Sequence, residues 1–571
     1  MLKFISDLLT AARPTVAAVF MVISVAGCAG LEVTQYFDTG AVATSAPIAT
    51  EVGRQVFARG GNAFDVAVAV GFALEVCHPE AGNIGGGGFA LIRDGESGAI
   101  RALDFRETAP SAAHERMYLN DSGEVIENLS TVGAMAAGVP GTVAGLYRLW
   151  ESYGSLPWDE LVGYAAALAD TGFVVDEYLA GSFEEYSSEL GAFEATSKQY
   201  LPKGRAPGAG EVLVQADLAR TLYLIAAEGR DGFYKGQTAA LIDSTMRAHG
   251  GLITVDDLAG YEPVWRQPIH VKFDSLDVYS MPPPSSGGIL VGQILKILEP
   301  FDFSRLSPNS PEFIHLFAEA CRLAFADRSE HLGDPGFYDV PTQGLLDENY
   351  IAERRSHITF GHAMPFEEVR PGVIPRVESE QTTHYSVCDR AGNMVAITYT
   401  LNGSYGSMLV VDGAGFLLNN EMDDFSVKPG VPNVYGLVGA EANKIEPNKR
   451  MLSSMSPTLI LKNNHPCLAI GAPGGGKIIT VVAQAILNLT RFDLSPSETA
   501  ALPRVHHQWL PDVLYLEEGG FDINVVQALI ALGHHVEERA PYSDIQIIYV
   551  NSDGTMTGAS DPRRRGTAAG L

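Results

Sequence analysis

Apolar positions recur at helical spacing over some stretches of this chain and in short alternating or continuous runs over others. From Pro47 to Arg59, Ile48, Val52, Val56 and Phe57 share one helical face, and Gly60-Gly61 ends the pattern. Pro47 suits a first helical turn, where its missing N–H costs no hydrogen bond. Asn62 is placed to cap a second helix, Ala63–Val76, whose apolar face is wide enough to be largely buried. Gly82–Gly88 reads as a flexible loop leading into a strand at Phe89–Ile92. Helical patterns then dominate from Val132 to Leu332, at Val143–Tyr153, Asp217–Ala227, Thr238–His249, Leu290–Leu298 and Phe313–Ala326. Pro282–Gly288 is a rigid turn ahead of one of these helices.

Between Arg355 and Glu380 the periodicity decays into Pro, Gly, Glu and Arg, the signature of an exposed linker, and it ends abruptly at Thr382. Strand-like runs follow at His384–Cys388, Met394–Leu401, Gly415–Leu418, Leu459–Lys462, Cys467–Ile470, Leu514–Glu517 and Ile545–Val550, with helices at Ile478–Leu487 and Asn524–Leu532. Grouped strands flanked by helices predict a layered α/β fold, with Thr382 as the main boundary along the chain.

Composition narrows the class. The chain has 571 residues, a formal net charge of −29 and no low-complexity tract, so a general nucleic-acid role is disfavoured by repulsion from phosphate. Lys3 and Arg13 precede an apolar run, Val16–Val25, that closes in Ala26-Gly27-Cys28. This is the order of an export signal, too short to span a membrane comfortably. Cys28 directly after small residues resembles a bacterial lipoprotein signal with residues 1–27 removed and Cys28 acylated; an ordinary signal or an uncleaved anchor is the alternative, and Asp7 sits awkwardly in the basic region. The expected location is the periplasm, on a lipid anchor. Cys77, Cys321, Cys388 and Cys467 are widely separated, without metal-ligand spacing, and the first two fall in helical apolar patterns as small core residues. His506-His507 reads as structural, because adjacent side chains point apart.

The candidate chemistry lies at Thr382. A threonine opening a hairpin after a loose linker, with turn residues Asp389–Asn393 between the two strands, is where self-cleavage would expose a new amino terminus. A hydroxyl needs a neighbouring base, and a freed α-amine, with a reference pKa near about 8, lies within the same residue. The stretch Thr382–Gly406 resembles the signature of the γ-glutamyltransferase (γ-glutamyltranspeptidase, glutathione hydrolase) family, carried by Thr382, His384, Ser386, Gly392, Asn393, Val395, Thr398, Thr400, Asn402, Tyr405 and Gly406. Further blocks at Gly60–Ala63, Gly85–Phe89, Asp104–Glu107, Leu418–Phe425, Pro447–Arg450, Leu452–Pro457 and Gly558–Arg563 extend the likeness over almost all of the mature chain.

The resemblance implies an αββα sandwich of the N-terminal-nucleophile hydrolase type, cut between Gln381 and Thr382 into a large chain, 28–381, and a small chain, 382–571, which stay together as a heterodimer. It implies that Thr382 attacks the γ-carbonyl of glutathione or a related donor and passes the γ-glutamyl group to water or to an amino acid or peptide acceptor, without metal or cofactor. Thr400 would orient Thr382. Asn402, Glu421 and Asp424 would receive the donor α-ammonium, and Arg106, Ser453 and Ser454 its α-carboxylate, a guanidinium fork suiting that group. Gly474 and Gly475 would supply backbone oxyanion donors, and Tyr435 belongs to a stretch resembling the family's lid loop.

Gly471–Lys477 also fits G-x-x-x-x-G-K, but Ile478 stands where a P-loop needs Ser or Thr for Mg²⁺, which disfavours an NTPase. Gly476-Lys477 departs from the Ser-Arg common in the family. Two other readings stay open: a β-lactam side-chain acylase sharing the Thr382 chemistry, and a lipid-anchored binding protein that folds alike but is never cut. Denaturing electrophoresis separates the last from the enzymes. The enzymes give two bands near roughly 38 and 20 kDa by residue count, the binding protein one. Thr382→Ala is expected to abolish the split, and cleavage persisting in that variant would sink the self-processing expectation.

Overall fold

The computed structural model describes residues 35–370, 382–426 and 441–571. Residues 1–27, Cys28, Gln381 and Tyr435 lie outside that set. Two helices open the fold at Pro47–Ala58 and Ala63–Cys77. The second begins on a capping box: the Asn62 side chain accepts from the Phe64 and Asp65 N–H groups, and the Asp65 carboxylate accepts in return from the Asn62 N–H. Every residue of this second helix is buried.

Two seven-stranded antiparallel sheets form the centre. The first runs Thr567–Gly570, Gly40–Thr44, Thr383–Asp389, Met394–Thr400, Gly87–Arg93, Ile100–Phe105 and Val264–Arg266. The second runs Tyr36–Phe37, Met556–Ser560, Gln546–Val550, His465–Gly471, Thr458–Lys462, Leu276–Ser280 and Ile269–Phe273. They face each other across the Thr383–Asp389 and His465–Gly471 strands. The helices Pro47–Ala58, Ala63–Cys77 and Thr142–Tyr153 cover the outer face of the first sheet, and Gly287–Leu298 and Lys477–Arg491 that of the second. The layers are therefore helix, sheet, sheet, helix, as expected.

The Thr382 hairpin sits inside the first sheet. In its register Thr383 faces Tyr399, so Thr382 at the strand's open end stands level with Thr400. Gly40–Thr44 pairs with one edge of the hairpin and Gly87–Arg93 with the other. Segments from before and after Thr382 thus alternate across one sheet.

Three expectations need correction. The Val132–Leu332 region contains strands at Val264–Arg266, Ile269–Phe273 and Leu276–Ser280, where Ile269, Val271 and Phe273 alternate inward at period two. Gly415–Leu418 is not a strand but holds one isolated bridge, Val410 to Leu417, because Gly413 and Gly415 at φ +74° and +77° fold the chain back on itself. Gly82–Gly88 is wholly buried rather than an open flexible loop. Its glycines permit close backbone approach: a Cβ on Gly86 would lie 2.1 Å from the Thr400 carbonyl oxygen. Gly86→Ala is accordingly expected to destabilise the fold by about 3 kcal/mol, because the obstacle is backbone that cannot repack. A urea unfolding midpoint matching that of the parent would refute this.

Candidate active site

At the open end of the hairpin, one pocket is lined by Arg106, Thr382, Thr400, Asn402, Glu421, Asp424, Ser453, Ser454, Met455, Gly475 and Ile478. Arg106, Thr382, Thr400 and Asn402 come to it from the ends of sheet strands, Glu421 and Asp424 from a 3-10 turn, Ser453–Met455 from the stretch before the Thr458–Lys462 strand, and Gly475 and Ile478 from the start of the Lys477–Arg491 helix. Thr400 Oγ1 accepts the Asn402 N–H at 2.8 Å, which bends the chain away from the strand as Asn402 takes a left-handed φ of 76°. Asn402 Nδ2 donates to the Asn420 carbonyl at 3.1 Å and thereby ties this turn to the acidic one beyond it.

That acidic turn, Glu421–Asp424, is built by two asparagines. Asn419 Nδ2 bridges the Gly85 and Gly138 carbonyls, while Asn420 accepts from the Gly403 N–H and donates to Thr131. Asp423 turns out of the pocket to accept from Ser130 Oγ at 2.6 Å. Glu421 and Asp424 turn in and meet Arg106, at 2.6 Å from Nη1 and 2.5 Å from Nη2 respectively. Glu107 lies 3.7 Å from the same guanidinium.

Three buried carboxylates therefore share one arginine. Burial pushes the Glu107 carboxyl up to about 8 against the pull of Arg106. Burial also raises Glu421 well above the usual range, and raises Asp424 despite Arg106. Glu421, which keeps its proton, donates to the Asp424 carboxylate. Such a site favours a ligand that brings positive charge and several N–H donors.

Across the pocket, Ser453 and Ser454 lie on a stretch held by the Pro282–Gly288 turn. The Ser286 N–H donates to the Ser453 carbonyl at 2.7 Å, and the Ser453 N–H donates to Pro284 at 2.9 Å. The sequence reading missed Arg328. Its Nη2 donates to Ser454 Oγ at 3.1 Å and its Nε to Ser286 Oγ at 2.8 Å, and its charge lowers Asp424. The available signal was a cation following the apolar run Phe313–Ala326 on a helix that extends, Pro311–His331, past the expected end. Glu107 was visible only as part of the Asp104–Glu107 block.

Gly474 and Gly475 turn the chain between the His465–Gly471 strand and the Lys477–Arg491 helix, at φ +125° and +56°, conformations that a side chain would strain. Gly475 lines the pocket and Gly474 stands beside it. Neither N–H is taken up by another group among the described residues. The P-loop alternative fails here too: Thr480 Oγ1 donates to the Lys477 carbonyl and contacts His506 Nδ1, and so is committed to the fold. Lys477 Nζ lies 4.8 Å over the Tyr542 ring. His384, two residues past Thr382, spans Thr398 Oγ1 and Ser386 Oγ between the sheets, and burial holds it neutral, its value lowered to about 3.

Comparison with known proteins decides the family. The gamma-glutamyltranspeptidase family model matches residues 49–571. The chain belongs to the gamma-glutamyltranspeptidase family. It is 48% identical over 525 residues to the glutathione hydrolase proenzyme of Escherichia coli (strain K12), covering 92% of this chain and 90% of that one. Among solved structures it resembles a cephalosporin acylase from Bacillus halodurans at 26% identity and a TM-score of 0.84, covering 97% of this chain and 99% of that chain. It also resembles the Helicobacter pylori gamma-glutamyltranspeptidase at 41% identity and a TM-score of 0.57, over 57% of this chain and 94% of that chain. The four layers are those of the N-terminal-nucleophile hydrolases.

The carboxylate cluster predicts a pH signature. A carboxyl whose folded value is raised adds stability below its unfolded value, near about 4.3 for Glu, and loses it as pH climbs toward about 8. Glu107→Gln removes that loss, so the unfolding midpoint of the variant relative to the parent should rise from pH 5 to pH 8. Parallel profiles would show that Glu107 ionises freely in the folded protein.

Proposed function

We propose that this chain cuts itself between Gln381 and Thr382 and that the freed Thr382 transfers γ-glutamyl groups from glutathione and related donors to water or to amino acid and peptide acceptors. The observation that carries this reading is the single pocket in which Thr382 meets a cluster matched to an amino-acid head group. In the precursor, the Thr382 hydroxyl attacks the preceding carbonyl, the peptide becomes an ester, and water hydrolyses it to leave a free α-amine. That amine takes the Thr382 hydroxyl proton as Oγ1 attacks the donor γ-carbonyl. The C–O bond forms, negative charge moves onto the carbonyl oxygen, and the Gly474 and Gly475 N–H groups stabilise it. Collapse expels the donor amine, which takes the proton back. Water or an acceptor amine then repeats the sequence on the ester and restores Thr382.

The clamp selects the donor. Asp424, Glu421 and Asn402 suit an α-ammonium, and Arg106 with Ser453 and Ser454 suits an α-carboxylate. Arg106 bonds both Glu421 and Asp424, so the ammonium and carboxylate of one α-amino acid would divide an ion cluster already present. A β-lactam acylase needs no such paired recognition, and the three-carboxylate cluster favours the γ-glutamyl reading over it.

Turnover of a γ-glutamyl anilide, with and without a dipeptide acceptor, tests this. The account expects anilide release that the dipeptide accelerates, and a fall in kcat/KM of roughly tenfold to a hundredfold in Asp424→Asn, which weakens a charged hydrogen bond. Release of a cephalosporin side chain without any anilide turnover by two-chain protein would transfer the assignment to the acylase.

A further inference from the structure

Away from the pocket, a second polar cluster is buried at the far side of the Pro311–His331 helix. His315 and Glu319 stand one turn apart on it. His534 comes from the turn after the Ile523–Ala531 helix, where its N–H donates to the Leu529 carbonyl. His315 Nε2 lies 2.6 Å from the Thr359 carbonyl oxygen, so that nitrogen carries the proton and Nδ1 presents a lone pair. Nδ1 in turn lies 2.8 Å from His534 Nε2, which supplies the proton between them. Glu319 accepts from the Met364 N–H at 2.9 Å and from Arg322 Nη1 at 2.7 Å. Arg322 Nη2 is balanced in addition by Asp512, 2.9 Å away, and Asp512 lies 3.4 Å from His507 Nε2.

One ligand atom from each of His315, Glu319 and His534 lies within 4.8 Å of the others. In a tetrahedral zinc site with bonds near 2.0–2.1 Å, ligand atoms stand about 3.4 Å apart. To take an ion, the two imidazole nitrogens, 2.8 Å apart, would open by about 0.6 Å and the Glu319 carboxylate would draw toward them. Outer partners are in place for two of the three ligands. Ligating histidines pass their other N–H to a carbonyl or carboxylate, as His315 does to Thr359, and ligating carboxylates are themselves hydrogen-bonded, as Glu319 is.

We propose that His315, Glu319 and His534 form a structural site for a divalent cation of the zinc class. The ion takes the place of the proton between the two imidazoles. That proton moves to Nδ1 of His534, both rings stay neutral, and solvent completes the fourth position. Two imidazoles and one carboxylate select zinc and its first-row neighbours over calcium or magnesium, which prefer all-oxygen shells. His315 and Glu319 precede Thr382 in the chain and His534 follows it, so the ion also fastens the two halves together. Binding itself does not depend on cleavage before Thr382; the fastening of two separate chains does.

Titration of untagged, chelator-treated protein with zinc chloride tests the proposal by calorimetry. The expected result is about one equivalent bound per molecule at micromolar affinity or tighter, with a higher urea midpoint in its presence. His534→Gln should weaken binding roughly tenfold or more, while γ-glutamyl anilide turnover reports that the variant has folded. Cobalt(II) added to the unaltered protein should give the visible absorption bands of a four-coordinate site, which needs no variant. No zinc uptake, uptake unchanged in His534→Gln, or the weak spectrum of hydrated cobalt would each overturn the proposal and leave a hydrogen-bonded histidine pair.

Discussion

The active-site geometry depends on the hydrogen bonding of one strand. Thr383–Asp389 lies inside a seven-stranded sheet, paired on one side with Gly40–Thr44 and on the other with Met394–Thr400. A strand paired on both edges cannot slip without turning every inward side chain outward. Thr382, the next residue, inherits that fixity, and its level with Thr400 is set by the ladder rather than by any side-chain contact. The same arrangement makes the halves of the molecule inseparable as folded units. The sheet holding Thr382 is completed by strands that precede it in sequence, and by the closing strand Thr567–Gly570 on Gly40–Thr44.

The pocket adds a second constraint, an imbalance of charge. Glu107, Glu421 and Asp424 surround Arg106, and burial raises all three carboxyls. Burying ionised groups without sufficient counter-charge costs several kcal/mol, so protons are retained there. Arg328, bonded to Ser454, adds a second positive charge that pulls Asp424 down without cancelling the effect of burial. The glycine turn opposite works by conformation, with positive φ at Gly474 and Gly475 aiming backbone N–H groups where no side chain could follow.

Helix positions and the hairpin were legible in the sequence because they rest on local signals: the Asn62 cap, the Pro47 start, the Asp389–Asn393 turn. The three strands Val264–Ser280 were hidden inside a region of helical periodicity, being short and partly exposed. Gly82–Gly88 looked flexible because sequence shows what glycine permits, not what packs against it; the Thr400 and Leu417 carbonyls do. Arg106, Thr382, Thr400, Asn402, Glu421, Asp424, Ser453, Ser454 and Gly475 line one pocket, while Gln381 and Tyr435 lie outside the described residues. Arg328 escaped because its role is tertiary. Nothing near it in sequence announces that its guanidinium reaches Ser286 and Ser454. Nor could spacing reveal His315 beside His534, which meet only through the fold.

The most direct test of Thr382 as nucleophile is to quench the enzyme during turnover of a γ-glutamyl donor without acceptor and map the covalent adduct by peptide mass spectrometry. The account predicts one γ-glutamyl group, as a hydroxylamine-labile ester, on the peptide that begins at Thr382. An adduct on any other residue, or an unmodified Thr382 peptide during steady turnover, would contradict it.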